Sequence, residues 1–300
     1  MKFKENILED DTLKLNNKMP LETEFSLTLF PPYSFSPCVN RKIEFSQKNI
    51  FLCFKYKHST KELQKILMYL PSSCISYIIN ELSGKFREVI KDKNGNYFFS
   101  DLIKSCNIAQ RLIIIKEIAS KIYEDCNDEY ATHSLQTLFE FSSTEEELKL
   151  LISSFNDFNK IIMASMNKYG NYVIQRLIAY VPEEIRKNFN EMFVKLICVL
   201  SRDAFGVLTV IKFINFTNNK ILIEQFLNSI TTNFINISEN RYGNYLIQNL
   251  LKIWWEKKEG NFLKMIIISK FQTLLRNEYA SHICKTFIEL NNKKIACIKK

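Results

Sequence analysis

The nine residues Asn167-Lys-Tyr-Gly-Asn-Tyr-Val-Ile-Gln175 return almost unchanged as Asn240-Arg-Tyr-Gly-Asn-Tyr-Leu-Ile-Gln248. Their glycines, Gly170 and Gly243, lie 73 residues apart, and Asp203-Ala-Phe-Gly206 falls midway between them. Continuing outward at the same step finds Asp92-Lys-Asn-Gly95, Asp128-Glu-Tyr-Ala131 and Asn277-Glu-Tyr-Ala280. Positions 95, 131, 170, 206, 243 and 280 are thus separated by 36, 39, 36, 37 and 37 residues. Four of the six glycines in the chain occupy this lattice, and alanine fills the other two slots. A period of that length marks stacked structural repeats, each too small to bury its apolar face alone.

Each unit reads as a helix pair. Thr144-Glu-Glu-Glu147 has capping-box spacing, and Pro182-Glu-Glu places proline at a first helical position. First helices are expected over 145–158 and 183–200, with apolar residues every three or four positions. The small lattice residue opens the second helix, as over 171–180, with Val173, Ile174, Leu177 and Ile178 facing the core. Leu246, Ile247, Leu250 and Leu251 are the matching set in a later unit. The expectation is an all-α solenoid over residues 59–300. Residues 59–90 read as a degenerate helical unit that caps the stack. Upstream, in a separate N-terminal segment 1–58, the pattern fades, and Pro20 to Pro37 reads as irregular.

Composition agrees. Only 6 Gly and 6 Pro in 300 residues leave room for long helices, and 46% hydrophobic residues place the chain among globular proteins. Lys and Arg outnumber Asp and Glu by 41 to 32, a net charge of +9 that favours polyanions. A Lys-, Asn- and Ile-rich composition can also be basic for no functional reason, so charge alone decides nothing. The eight cysteines include no C-x-x-C pair, and none of the three histidines stands at metal-ligand spacing from one. Free, mostly buried thiols, no metal and no cofactor are expected. The start lacks an apolar signal-peptide core, and no uncharged apolar run approaches 18 residues. A soluble intracellular protein is expected. No nucleophile, acid–base pair or phosphate loop is visible, which argues against an enzyme. The carboxylates, including the Glu145–Glu147 run, read as caps and solvated helix ends.

The candidate chemistry lies just after each lattice residue. The two residues that follow it, and the one three further on, share one exposed helix face. In chain order these triplets are Asn96, Tyr97, Ser100; Thr132, His133, Gln136; Asn171, Tyr172, Gln175; Val207, Leu208, Ile211; Asn244, Tyr245, Gln248; and Ser281, His282, Lys285. A flat ring accepts a stacked base, and Asn and Gln amides carry donors and acceptors for its edge. Uracil, with two carbonyls flanking one N–H, suits such a pair.

NKYGNYVIQ and NRYGNYLIQ resemble the RNA-reading helices of Pumilio (PUF) repeats, with DEYATHSLQ and KNGNYFFS weaker matches, over about residues 60–300. The resemblance implies a right-handed, crescent-shaped superhelix in which each repeat reads one base, C-terminal repeats taking the 5′ end of the RNA. NEYASHICKTFIEL is similar to the family's terminal cap. On that mapping the Asn244/Tyr245/Gln248 unit takes a 5′ uracil and the Asn171/Tyr172/Gln175 unit a uracil two nucleotides downstream. The Thr132/His133/Gln136 unit then takes adenine. Between the uracil readers the family usually carries a Ser…Glu pair for guanine, whereas Val207, Leu208 and Ile211 cannot hydrogen bond. That base should be unread or turned outward, giving U-x-U where typical members prefer UGU, and Ser100 leaves the base of the first unit open.

The resemblance implies a monomeric, cytoplasmic protein that binds single-stranded RNA in mRNA untranslated regions and works with protein co-regulators. Two rival readings stay open: a nucleolar relative binding precursor rRNA, and a helical scaffold for protein partners without base readout. His133 and His282 could equally be surface histidines, Lys285 a phosphate contact or solvated, and the Val207 unit a packing or partner patch.

Overall fold

Why the lattice falls where it does is visible in the hydrogen bonds of its Asp or Asn three residues upstream. In the computed structural model, which describes residues 46–298, the Oδ1 atom of this residue caps every second helix. Asn167 Oδ1 accepts from the Tyr169 and Gly170 N–H groups at 2.8 and 3.0 Å, and Asp203 Oδ1 from Phe205 and Gly206 at 2.9 and 2.8 Å. Asp92, Asp128, Asn240 and Asn277 repeat the arrangement. Side-chain oxygens here satisfy N–H groups that a helix start leaves without partners.

Glycine is favoured at the next position because the helix starts hard against the preceding one. A Cβ on Gly170 would stand 2.6 Å from the Ala164 carbonyl oxygen, and one on Gly206 2.5 Å from that of Leu200. Each carbonyl lies six residues back, so the contact recurs with the period.

The described residues contain eighteen α-helices and no strand. They run α1 (Gln47–Phe54), α2 (Lys57–Leu67), α3 (Ser72–Leu82), α4 (Phe86–Lys91), α5 (Gly95–Ser105) and α6 (Ile108–Ile118). Then come α7 (Ile122–Asp125), α8 (Ala131–Phe141), α9 (Glu145–Ile152), α10 (Phe158–Ser165), α11 (Gly170–Tyr180) and α12 (Lys187–Leu200). The series closes with α13 (Gly206–Asn215), α14 (Lys220–Thr232), α15 (Phe234–Ser238), α16 (Gly243–Trp254), α17 (Lys258–Leu275) and α18 (Ser281–Ile298). Helices α2, α5, α8, α11, α13, α16 and α18 pack each against the next in one continuous row. The first helices of the units lie behind this row, with α3 on α6, α6 on α9 and α12 on α14. The layering is that of an α-solenoid.

Between the rows lies a dry core. Val173, Ile174, Leu177, Ile178, Leu246, Ile247, Leu250 and Leu251 are all buried, as the periodicity predicts. At about 25 cal/mol per Å² such burial dominates the stability of each unit. Phe193 stacks on Phe213 at 4.8 Å between ring centres, tying the first helix of one unit to its second.

Four expectations are corrected. The helix expected over 145–158 ends at Ile152, and a second, α10, starts after Asp157, whose side chain caps it through the Lys160 N–H. The helix expected from 183 starts at Lys187, after a turn in which the Pro182 carbonyl accepts from Ile185 and Arg186. Arg186 itself is buried, donating to the Val181 and Phe216 carbonyls and to Asn190. Glu147 is not a solvated helix end: it is fully buried, 2.8 Å from Arg111, while it also completes the predicted capping box with Thr144. Asp125 is likewise buried, held by Arg87 and Lys91, against the reading of carboxylates as exposed.

Among the described residues no helix is long and apolar enough to cross a membrane, and no three His, Cys, Asp or Glu side chains cluster as metal ligands would. Cys53, Cys74, Cys106, Cys126, Cys198 and Cys284 are free, and burial pushes the Cys106 and Cys126 thiols up to about 12. The expectations for residues 1–45, Pro20 to Pro37 included, lie outside the described residues.

Candidate nucleic-acid interface

The six triplets sit on the first turn and a half of six consecutive helices of the continuous row, each opened by an Asp or Asn cap. Equivalent side chains therefore recur side by side along one wall. The middle residue of each triplet points to solvent: Tyr97 is 59% exposed, Tyr172 51% and Tyr245 62%, with His133 and His282 also exposed. Burying three large rings at regular intervals would have been easy in so apolar a chain. Their uniform exposure is a property of the wall.

The first residue of the first five triplets is buried, and where it is asparagine it holds the helix start. Asn171 Nδ2 donates to the Asn167 and Lys168 carbonyls at 2.9 and 3.0 Å, and Asn244 Nδ2 donates to those of Asn240 and Arg241 at 3.0 Å. Both amide hydrogens are occupied. The Oδ1 atom faces the third residue instead: Gln175 Nε2 donates to Asn171 Oδ1 at 2.9 Å, and Gln248 Nε2 to Asn244 Oδ1 at 2.8 Å. Two helix turns thus carry one locked amide pair. Its remaining groups are the second N–H and the Oε1 of the glutamine, beside the tyrosine ring. A locked pair loses little side-chain freedom when a ligand arrives.

Neighbouring units fix the glutamines further. Thr286 Oγ1 donates to Gln248 Oε1 at 3.0 Å, and Arg176 Nε reaches Gln136 Oε1 at 3.4 Å. The Thr132 hydroxyl donates across to the Tyr169 carbonyl at 3.0 Å. These contacts join successive triplets physically, which no single-helix argument supplies.

Two units differ. Asn96 makes the same backbone bonds, to Asp92 and Lys93, but Ser100 turns its hydroxyl to the Asn96 carbonyl. The buried Asn96 Oδ1 has no hydrogen-bond partner among the described residues. In the fourth unit Val207 is buried, Leu208 is 42% exposed and Ile211 half-buried, so an aliphatic patch interrupts the row. At the far end Ser281 bonds the Glu278 carbonyl, and His282 and Lys285 are exposed.

Sequence reasoning singled out the triplets but missed what surrounds them. An aromatic residue stands just before five of the six lattice positions, at Tyr130, Tyr169, Phe205, Tyr242 and Tyr279. Lys168 Nζ lies 4.5 Å from the Tyr169 ring centre and the Arg241 guanidinium 4.7 Å from that of Tyr242, a cation–π arrangement beside the wall. The period that exposed the triplets could have found these residues.

Fold and wall define a class: helical-repeat proteins with one extended binding face. A family model described as the Pumilio-family RNA binding repeat matches residues 85–119, 126–153, 161–188 and 233–253. These are the four units whose triplets pair a ring with hydrogen-bonding neighbours and that precede the terminal one; the Val207 unit is passed over. These four segments of the chain carry Pumilio-type repeats. Pumilio homolog 12 of Arabidopsis thaliana is 26% identical over 269 residues, covering 86% of this chain and 42% of that protein. Pumilio homolog 11 of the same plant is 23% identical, covering 79% and 49%. The chain spans less than half the length of these curated relatives. In fold it is similar to the RNA-binding domain of yeast Puf5p bound to AAT2 RNA, with a TM-score of 0.70 at 20% identity over 83% of this chain and 70% of that one. It is similar also to PUF-8 in complex with PBE-RNA, at a TM-score of 0.71 and 16% identity, over 81% and 72%.

Proposed function

We propose that the wall binds single-stranded RNA with a preference for two uracils separated by one tolerant position, and that the protein regulates translation or stability of cytoplasmic mRNAs through their untranslated regions. The observation that carries this reading is the pair of identical locked triplets, Asn171/Tyr172/Gln175 and Asn244/Tyr245/Gln248. In each, an exposed ring offers a stacking surface while the glutamine offers one N–H and one carbonyl oxygen to a base edge, the Gln248 oxygen with one lone pair already taken by the Thr286 hydroxyl. A donor beside an acceptor matches the alternating edge of uracil. The relatives, Pumilio homologues and Puf domains bound to RNA, support the same ligand class.

Stacking is worth roughly 1–3 kcal/mol per base, so three tyrosines supply on the order of 3–9 kcal/mol before ordering costs. Basic side chains along the wall must contribute phosphate contacts, and affinity should fall steeply with salt. The Val207 unit adds neither ring nor amide, and the base opposite it is unread. Selection from random single-stranded RNA tests the reading: enrichment of U-x-U is expected, and recovery of no common element would overturn it.

The interrupted row together with the net charge of +9 also favours a second reading, a nucleolar role on precursor rRNA. Imaging a tagged copy separates the two: cytoplasmic signal supports the first and nucleolar signal the second.

A further inference from the structure

Helix α2 carries no lattice glycine and lies outside the family match, yet it is the first member of the continuous row. Placing Ser59 opposite Gly95, 36 residues on, aligns the two helices by burial. Thr60 and Asn96 are buried, Lys61 and Tyr97 exposed, Leu63 and Phe99 buried, Gln64 and Ser100 half-buried, and Leu67 and Ile103 buried. The link to the next unit is also in place. Gln64 Nε2 donates to Asp101 Oδ2 at 2.5 Å, joining the same two positions of neighbouring units that Gln136 and Arg176, and Gln248 and Thr286, join further along. The row of seats therefore continues one place beyond the six triplets.

This seat differs in chemistry from the others. Lys61 stands where the ring would be, and a groove of about 480 Å³ beside it is lined by Lys57, Lys61 and Lys93 together with Asn94, Tyr97 and Tyr130. Among the described residues no carboxylate lines the groove. The acidic residues nearby are paired: Glu62 with Lys65, Asp101 with Lys104 and with Gln64 of the groove's own lining, and Asp92 at the cap of α5. Among the described residues, three ammonium groups share one recess with no carboxylate in its lining, next to the first exposed tyrosine of the wall.

We propose that this groove is a phosphate seat, which grips the RNA backbone just beyond the nucleotide stacked on Tyr97 and reads no base. Ammonium groups on flexible stems suit a phosphodiester, which presents charge without a flat face. The inference rests on RNA binding by the wall and adds a backbone anchor at its α2 end.

The test uses the full chain and three RNAs: the pentamer UAUAU, whose last base reaches Tyr97, and two heptamers made by adding two uridines at one end or the other. The heptamer extended at its 3′ end should bind the wild type roughly fivefold or more tightly than the pentamer, with a salt slope steeper by about 0.7 for each phosphate gained. The variant K57A/K61A/K93A should lose that advantage and the added slope while keeping pentamer affinity within about twofold, since only the added phosphates reach the seat. All three lysines are exposed, so its thermal midpoint should not move. Absence of any advantage for the 3′-extended heptamer, its survival in the variant, or an equal loss on the pentamer overturns the seat. Failure of the wild type to bind any of the three RNAs overturns instead the parent reading, and the seat with it.

Discussion

At Asn96 the residue scale shows how a triplet works by leaving one unfinished. Its Nδ2 group is bonded to two carbonyls, as in the two intact uracil-type triplets, but its Oδ1 is buried without a partner because serine stands where glutamine should be. An unmet buried acceptor costs about 1–3 kcal/mol, so Ser100→Gln should stabilise the protein by part of that amount, read as a higher urea midpoint. A neutral or lower midpoint would mean that the glutamine cannot reach Asn96. The same logic governs base choice. Replacing Asn244 with Ser and Gln248 with Glu exchanges an N–H donor for a carboxylate beside Tyr245, and the preferred base should move from uracil towards guanine. Binding measurements with the 5′ base varied would show it, and an unchanged preference would break the link between triplet and base. The sequence told where these residues stand but not that Asn is the inner, structural partner of Gln. That division of labour depends on carbonyls three and four residues back, which spacing alone does not orient.

Elements are joined by pairs that the sequence concealed. Burial raises the pKa of Glu147, but hydrogen bonds from Arg111 and from the Thr144 and Ser143 N–H groups outweigh it, and the net shift is downward. A carboxylate stabilised in the folded state supports the fold above its unfolded pKa and stops doing so as pH falls through its folded one. Thermal stability should therefore drop as pH goes below the ordinary glutamate range, and Glu147→Gln should flatten that dependence. Glu147→Ala, which leaves Arg111 buried without its anion, should cost about 3–5 kcal/mol. A midpoint shifted by less than a degree would show that the pair contributes little. A charged run at a helix start normally faces water, so nothing in Glu145–Glu147 marks its third member as the bridge between α6 and α9. The second helices were legible because glycine, cap and apolar period coincide there. The first helices were not, because the break at Ser153–Asp157 contains neither glycine nor proline, and only the Asp157 cap bond reveals it.

Across the whole molecule, affinity should depend on how many adjacent seats are filled, and the Val207 unit is where the row is cut. Its backbone is nevertheless prepared for a triplet. Asp203 caps α13 as Asn167 caps α11, and the Val207 N–H bonds the Asp203 carbonyl as that of Asn171 bonds Asn167. An asparagine at 207 would find the Asp203 and Ala204 carbonyls in the places that Asn167 and Lys168 offer Asn171. The triple substitution V207N/L208Y/I211Q should therefore rebuild a locked amide pair and an exposed ring, joining the two uracil readers into three adjacent seats. One added stacked base is worth roughly 1–3 kcal/mol, so affinity for UUU should rise about five- to a hundredfold, with a smaller gain for RNAs carrying another base at the centre, which stack without pairing to the amides. The salt dependence should stay as it was, because the substitution adds no charge. A gain shared equally by all central bases would mean that the ring stacks but the amide pair does not read, and no gain at all would place the RNA elsewhere on the molecule.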